Sequence, residues 1–311
     1  MRVTNGMNNQ NILNSINKNQ AKLSDLQIQM ASEQKINFLS DAPEAAVRVL
    51  NADVSMNKIE NYLNNIKSMT GELKSSESVL SQVGTAINRI LELTTSAANG
   101  TNNAQTLQAI NDELKQIKDQ IITLANTEYN GNYIYSGTKT GVMPFSVSDD
   151  GSVTYNGTPV DGDYKRSFHI SDNVKESINL NGGEVFGYSS YNPETEKFEG
   201  SGIIDVLNNV INDIDKVPVN YDNIRSHLDD IKNCQEAVVS FRTKLGAMQN
   251  RLEMVTEQHE NNKITLNSLK EDLQTVDLAD IITQISQQQT ALQASMYASS
   301  AMTKISMLDY I

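Results

Sequence analysis

Apolar positions recur at intervals of three and four along most of the chain, most regularly in its second half. Ile224, Ile231, Val238, Leu245, Leu252, His259, Leu266 and Leu273 stand seven apart. His227, Cys234, Phe241, Met248, Val255, Asn262, Leu269 and Val276 follow each by three. Fifty residues of unbroken register predict one long coiled-coil helix. A second seam runs through Met56, Ile59, Leu63, Ile66, Leu73, Leu80, Ile87 and Leu91, with Thr70, Glu77 and Gly84 as its weak points. Pro43, with Ser40 and Asp41 ahead of it, suits the first turn of that helix. The rod it predicts is on the order of 75 Å long, more than a globular enzyme helix usually spans. Residues 97–103 read as a turn, with Gly100 placed to end the helix. Leu107, Ile110, Leu114, Ile117, Ile121 and Leu124 then give the cleanest heptad, and the short turn predicts an antiparallel pair. Pro218 separates a short helix near Ile203 from the long one.

The two ends differ from the rods. Leu13, Ile16, Gln20, Leu23, Gln27 and Met30 form a three-four seam in an Asn- and Gln-rich stretch, widened by Leu26 and Ile28. That character fits a segment disordered alone and helical when packed. At the other end, Asp277 can cap a new helix, with Asp280 in its first turn. From Ile281 to Thr303 there is no charged side chain, yet five glutamines interrupt the apolar run, so it is not a membrane span. Leu278, Ile281, Ile285, Leu292 and Met296 form its stripe, and Ala and Ser keep the other faces small. Such a helix is either covered by other protein, partly by other copies, or is a core helix of a large bundle.

Between the rods the composition shifts. Eleven of the sixteen glycines fall between Gly131 and Gly202, and seven of the eleven tyrosines between Tyr129 and Tyr191, so the stretch breaks with helix. Phe145 and Val147 alternate, Asp149-Asp150-Gly151 turns, and Val153 and Tyr155 alternate back, which predicts a hairpin. Tyr164, Arg166, Phe168 and Ile170 alternate again after Asp161-Gly162, and Asn181-Gly182-Gly183 reads as a further turn. The fold class is therefore mainly α: a long antiparallel coiled-coil bundle drawn from both chain ends, with one small inserted β-rich domain.

Composition narrows the functions. The net charge of −13 and the lack of a basic patch argue against nucleic acid or anionic lipid as partners. Trp is absent and aromatics are scarce, unlike the lining of large enzyme pockets. Cys234 has no second cysteine and sits on a heptad position, as a buried thiol does. His227 and His259 lie on the seam and read as packing residues rather than metal ligands, and His169 faces solvent. Asp149 and Asp150 serve a turn and lack the spaced oxygens of a calcium loop. No HExxH, Walker, GxSxG or GxGxxG signature occurs with its required flanks. No catalytic residue, cofactor or metal is expected. MRVTNGMNNQ has no apolar core of signal-peptide length, so export would not use a cleaved signal.

Several stretches resemble one family. Residues 125–140, ANTEYNGNYIYSGTKT, are similar to the passage from coiled coil to outer domain in flagellin-like proteins of the bacterial flagellum. Lys35-Ile36-Asn37 with Ser40-Asp41-Ala42-Pro43 resembles their N-terminal joint, and residues 245–252, LGAMQNRL, resembles their C-terminal coiled coil. The end, residues 291–295 and 305–311, resembles members that join hook to filament. The resemblance covers about two-thirds of the chain on this division into arms and insert. It implies paired terminal helices in an inner tube (1–44 with 277–311), a coiled-coil layer (45–136 with 203–276) and an outward β domain (137–202). It implies unfolded export through the flagellar type III apparatus, a cytoplasmic export chaperone on the C-terminal helix, and partners in copies of the chain forming a ring, a hook-side junction protein and flagellin. The expected assembly interface is Leu13, Ile16, Leu23, Leu26, Ile281, Ile285, Leu292, Met296, Ile305 and Leu308. A bulk flagellin is the nearby alternative. An enzyme on a coiled-coil scaffold would need a cluster of titratable groups, and a toxin or adhesin would need a membrane-active apolar hairpin.

Overall fold

In the computed structural model the chain is described over residues 5–308, except 101, 149–150, 159–165, 179, 187–189, 193–196, 200–201 and 217. Asp149, Asp150, Asp161, Gly162 and Tyr164, which carried two of the expected turn and strand signals, lie outside the described residues. The chain forms two compact units, residues 1–59 with 260–311 and residues 60–259.

The second unit is built on α2 (Pro43–Ala97) and α6 (Tyr221–Gln274), each of which lends part of its length to it. The two run antiparallel. Arg225 Nη2 donates to the Ala98 carbonyl at 3.3 Å, Gln235 Nε2 to Asn88 Oδ1 at 2.7 Å and Arg242 Nη2 to Glu77 Oε1 at 2.7 Å. The predicted seam of α6 is the observed one here: Ile224, Ile231, Val238, Leu245, Leu252 and His259 are buried. Cys234, Phe241, Met248 and Val255, three residues on, are half-buried against the same core.

Helix α3 (Ala104–Ala125) turns back on α2, and Arg89 makes a two-pronged ion pair with Glu113, at 2.7 and 3.2 Å. The turn differs in detail from expectation. α2 stops at Ala97, Gly100 is not among the residues with positive φ, and Asn103 starts α3 by accepting the Thr106 amide at 2.8 Å. α5 (Ile203–Asp215) lies antiparallel to α3, joined to it by Lys115–Asp215 and Lys118–Asn208. Seven of its thirteen residues are buried Ile, Val or Leu, which makes this short helix the most deeply packed in the bundle.

The insert consists of antiparallel pairs: β1 (Glu128–Tyr129) with β2 (Asn132–Tyr133), β3 (Phe145–Val147) with β4 (Val153–Tyr155), β5 (Arg166–Ser171) with β6 (Val174–Ile178), and β7 (Ser190–Asn192) with β8 (Lys197–Glu199). Asn130 and Gly131 both have positive φ, 51° and 75°, the type I′ turn whose twist matches a two-residue hairpin. The predicted β3–β4 hairpin forms with Phe145 opposite Tyr155 and Val147 opposite Val153. Asn181-Gly182-Gly183, expected as a further turn, opens the short helix α4 (Gly182–Phe186). Its glycine is needed for packing: a Cβ at Gly182 would come within 2.8 Å of the Phe145 ring and the Tyr135 carbonyl. Tyr135, Phe145, Tyr155 and Phe186 form the aromatic centre, and the Tyr135 hydroxyl donates to the Ser76 carbonyl of α2 at 3.2 Å. Burial pushes the Tyr135 and Tyr155 phenols far above their ordinary range, so both stay protonated donors.

The β5–β6 hairpin lies along the two rods. Tyr62 donates to Asp172 at 3.0 Å, Asn65 to the His169 carbonyl at 2.9 Å, Arg166 pairs with Glu72, and Arg251 pairs with Glu176 at 2.9 Å. His169 itself is exposed, as its place in the alternation predicts.

Candidate assembly interface

Among the described residues, most of the exposed large apolar side chains lie in the first unit. It contains α1 (Asn5–Ser32), α7 (Leu278–Leu308) and the adjoining ends of α2 and α6. α1 and α7 pack antiparallel, with Leu26 beside Ile281 at one end and Asn19 beside Ser295 further along. Among the described residues their buried core holds Leu26, Val276 and Ile281, with Ile285 packed against it. For helices of 28 and 31 residues that core is small.

Polar side chains carry much of the remaining contact. Asn19 Nδ2 donates to Ser295 Oγ at 3.0 Å, and Gln288 Nε2 donates to the Asn19 carbonyl and Oδ1, both at 3.1 Å. The inward face of α1 is therefore Ile12, Ile16, Asn19, Leu23 and Leu26, rather than the expected seam through Leu13, Gln20, Gln27 and Met30. On α7 it runs through Ile281, Ile285, Gln288, Leu292 and Ser295, while Leu278 and Met296 face out. The alternative register wins because it spends Leu26 on the core and gives Asn19 two partners. Gln27 is left exposed, where water can satisfy its amide.

Where the helices meet the rods, the two strands of chain are tied directly. Lys35 N donates to the Gln274 carbonyl at 2.7 Å and Val276 N to the Glu33 carbonyl at 3.3 Å, a bridge that needs Glu33 at φ 56°. Asp41, ahead of the first turn of α2, faces back along the chain: its Oδ2 accepts the amides of Asn37 and Phe38 at 3.1 and 2.9 Å and closes the joint. Asp277 does cap α7, accepting the Ala279 amide at 2.9 Å. Lys270 pairs with Asp53 at 2.8 Å between the ends of α6 and α2.

Of the expected interface residues, Leu26 and Ile281 are buried against each other, Ile285 joins them, and Ile16, Leu23 and Leu292 are half-buried. Leu13 and Met296 are each 51 % exposed. Ile305 and Leu308 fall in α7, but their side chains lie outside the described residues. The residues that sequence reasoning passed over are Asn19, Gln288 and Ser295, whose signal was a polar residue at an inward position. It also passed over the outward side of α2, where Val47, Leu50 and Val54 stand one turn apart and more than half exposed.

Of the twenty-one exposed large apolar side chains among the described residues, fifteen lie in this unit, although it is the smaller of the two. It is also close to neutral: nine Lys and Arg face eleven Asp and Glu, a balance of −2. The larger unit holds sixteen against twenty-seven and carries the other −11. No helix among the described residues is long and apolar enough to cross a membrane, and no group of three His, Cys, Asp or Glu among them could hold a metal ion.

The chain matches the bacterial flagellin N-terminal helical region over residues 3–140 and the bacterial flagellin C-terminal helical region over residues 228–311. It is 29% identical to flagellar hook-associated protein 3 of Escherichia coli strain K12, over 99% of each chain. It is 27% identical to the same protein of Salmonella typhimurium, over 95% of each. Flagellin of Bacillus subtilis is 24% identical, over 95% of this chain and 94% of its own. Among solved structures, a flagellar hook-associated protein of Vibrio parahaemolyticus superposes with a TM-score of 0.66 at 22% identity, over 76% of this chain and all of that one. Hook-associated protein 3 of Legionella pneumophila gives 0.61 at 16%, over 72% and 99%. With the two flagellin regions in this order on either side of the insert, and with a helical body that superposes on solved hook-associated proteins, the chain belongs to the flagellin-like axial proteins of the bacterial flagellum.

Proposed function

We propose that this chain is a structural junction of the flagellum, seated outside the cell between hook and filament and joined to its neighbours through its terminal helices. It packs as a ring of copies, meeting a hook-side junction protein on one side and flagellin on the other. Its interface is centred on Leu13, Ile16, Leu23, Leu26, Ile281, Ile285, Leu292, Met296, Ile305 and Leu308. Its working divisions are the terminal helices 1–44 and 277–311, the coiled coil 45–136 and 203–276, and the insert 137–202. The role is mechanical, with no bound cofactor.

The observation that carries this reading is the concentration of exposed apolar side chains in the near-neutral unit at the chain ends. An apolar surface of that extent marks an interaction site. The near-full-length similarity to hook-associated protein 3 supplies the place. Ends with so small a private core are weakly ordered in the single molecule and gain order from neighbours, which suits passage unfolded through the type III apparatus with a chaperone on α7.

Immunogold labelling of isolated flagella tests the position. Label confined to the boundary of hook and filament is expected. Label along the whole filament would make the chain a flagellin, the kind of protein to which it is less similar, at 24% identity to that of Bacillus subtilis. Removing residues 277–311 is expected to leave a soluble protein that no longer enters the flagellum.

A further inference from the structure

The outward stripe of α2 is separate from the α1–α7 contact and has no role in it. Val47, Leu50 and Val54 are 51 %, 54 % and 54 % exposed, at spacings of three and four that set them in one line. Asn51 lies within that line. Charge selects what can cover it. A copy of this chain carries −13, so copies repel unless they meet through surface with little charge. The outward face of α7 is such a surface: Ile282, Gln289, Gln293 and Tyr297 are exposed, and the stretch 281–303 has no ionisable group except the Tyr297 phenol. Burying the stripe against it leaves no ion without a partner, which burial against a charged segment would do. The charges beside the stripe are paired within the chain, Arg48 with Glu44 at 2.9 Å and Asp53 with Lys270 at 2.8 Å, so what is left to cover is apolar.

We infer that Val47, Leu50 and Val54 receive the outward face of α7 from a second copy of this chain, forming a copy-to-copy contact distinct from the α1–α7 pair. The inference rests on the junction reading. It adds a heterologous surface: the two patches differ, so each copy offers one and accepts the other, and such contacts propagate into rings or helices rather than closed pairs.

Disulfide trapping in flagella tests it. In a Cys234→Ser chain that replaces the natural one in the bacterium, Leu50→Cys is combined in turn with Ile282→Cys, Gln289→Cys and Tyr297→Cys. Flagella are isolated, oxidised, and run without reductant, with each single-cysteine chain as control. The expected result is a ladder of dimers and higher multiples for at least one pair, and none for the single-cysteine chains. Incorporation at the hook–filament boundary with no ladder from any pair overturns the inference and leaves the junction reading standing. Dimers from Leu50→Cys alone, or a cross-link from it to a different flagellar protein, also overturn it, because the stripe then meets another partner. Absence of all variants and of the unaltered chain from flagella overturns the junction reading, and this contact with it. Leu50→Asp is the independent check. The side chain is exposed, so the fold is retained, and incorporation into flagella is expected to fall at least tenfold.

Discussion

His259 Nε2 lies 2.7 Å from the carbonyl oxygen of Ile170, and that bond explains why a histidine occupies a heptad position of α6. The β5–β6 register passes from His169 opposite Lys175 to Ser171 opposite Val174, so Ile170 has no residue opposite it. A bulge of this kind leaves the extra residue out of the ladder. Ile170 is fully buried, and its carbonyl is taken by the imidazole, which must therefore carry its proton on Nε2. Tyr62 stacks on the ring at 5.6 Å.

Replacing His259 by Leu completes the aliphatic heptad but strands that carbonyl. The expected outcome is a loss of about 1–3 kcal/mol, the usual penalty for an unpaired buried acceptor. Urea denaturation measures it, and amide exchange in residues 166–178 should rise well before exchange in α3. A variant as stable as the parent would mean the bond anchors nothing.

Gly71 sits inside α2 because Tyr129 leaves no room for more. A Cβ there would lie 2.1 Å from the Tyr129 hydroxyl. In an open helix, Gly→Ala stabilises by about 1 kcal/mol. Gly71→Ala is therefore expected to destabilise the natural chain and to stabilise a Tyr129→Leu chain by roughly that 1 kcal/mol. The sign change in a double-mutant cycle, followed by thermal melting, is the measurement.

Asp213 holds the α5–α6 corner. Lys216 donates to its Oδ1 at 2.7 Å and His227 Nε2 lies 3.0 Å from its Oδ2. These bonds, Lys216 first, keep the carboxyl below its ordinary range. A depressed carboxylate contributes stability that is full at neutral pH and is lost as the pH falls through the carboxylate range toward the folded-state value. Asp213→Asn should thus lower stability at pH 7 and flatten its decline under acid. An unchanged decline in the variant, read by denaturation between pH 3 and 7, would refute this assignment.

Cys234 is a packing residue of the seam. Burial first, and the Asp230 carboxylate second, push its thiol up to about 11. Against the ordinary value of 9.0, the thiolate fraction at pH 8 falls by ~100-fold, and alkylation, which needs the thiolate, slows by a similar factor. Iodoacetamide labelling of native and urea-unfolded protein gives the comparison. Equal rates would show the thiol to be open.

Much of this molecule is legible in one dimension. The rods of α2, α3 and α6, the β3–β4 hairpin and the cap at Asp277 each rest on interactions within a few residues, or on a period that a helix or strand imposes on its own. What the pattern could not supply is which of two adjacent positions faces inward when both are weakly apolar. Leu26 faces inward rather than Gln27, and Ser295 rather than Met296, in the register that gives Asn19 and Gln288 their hydrogen bonds across the helix pair. The same holds for Gly71, Gly182 and His259, whose reasons are a tyrosine, an aromatic cluster and a bulge carbonyl 58, 37 and 89 residues away. Local periodicity settles where helices and strands form, since backbone bonding is local. The faces that remain open are set by what long-range packing has already covered.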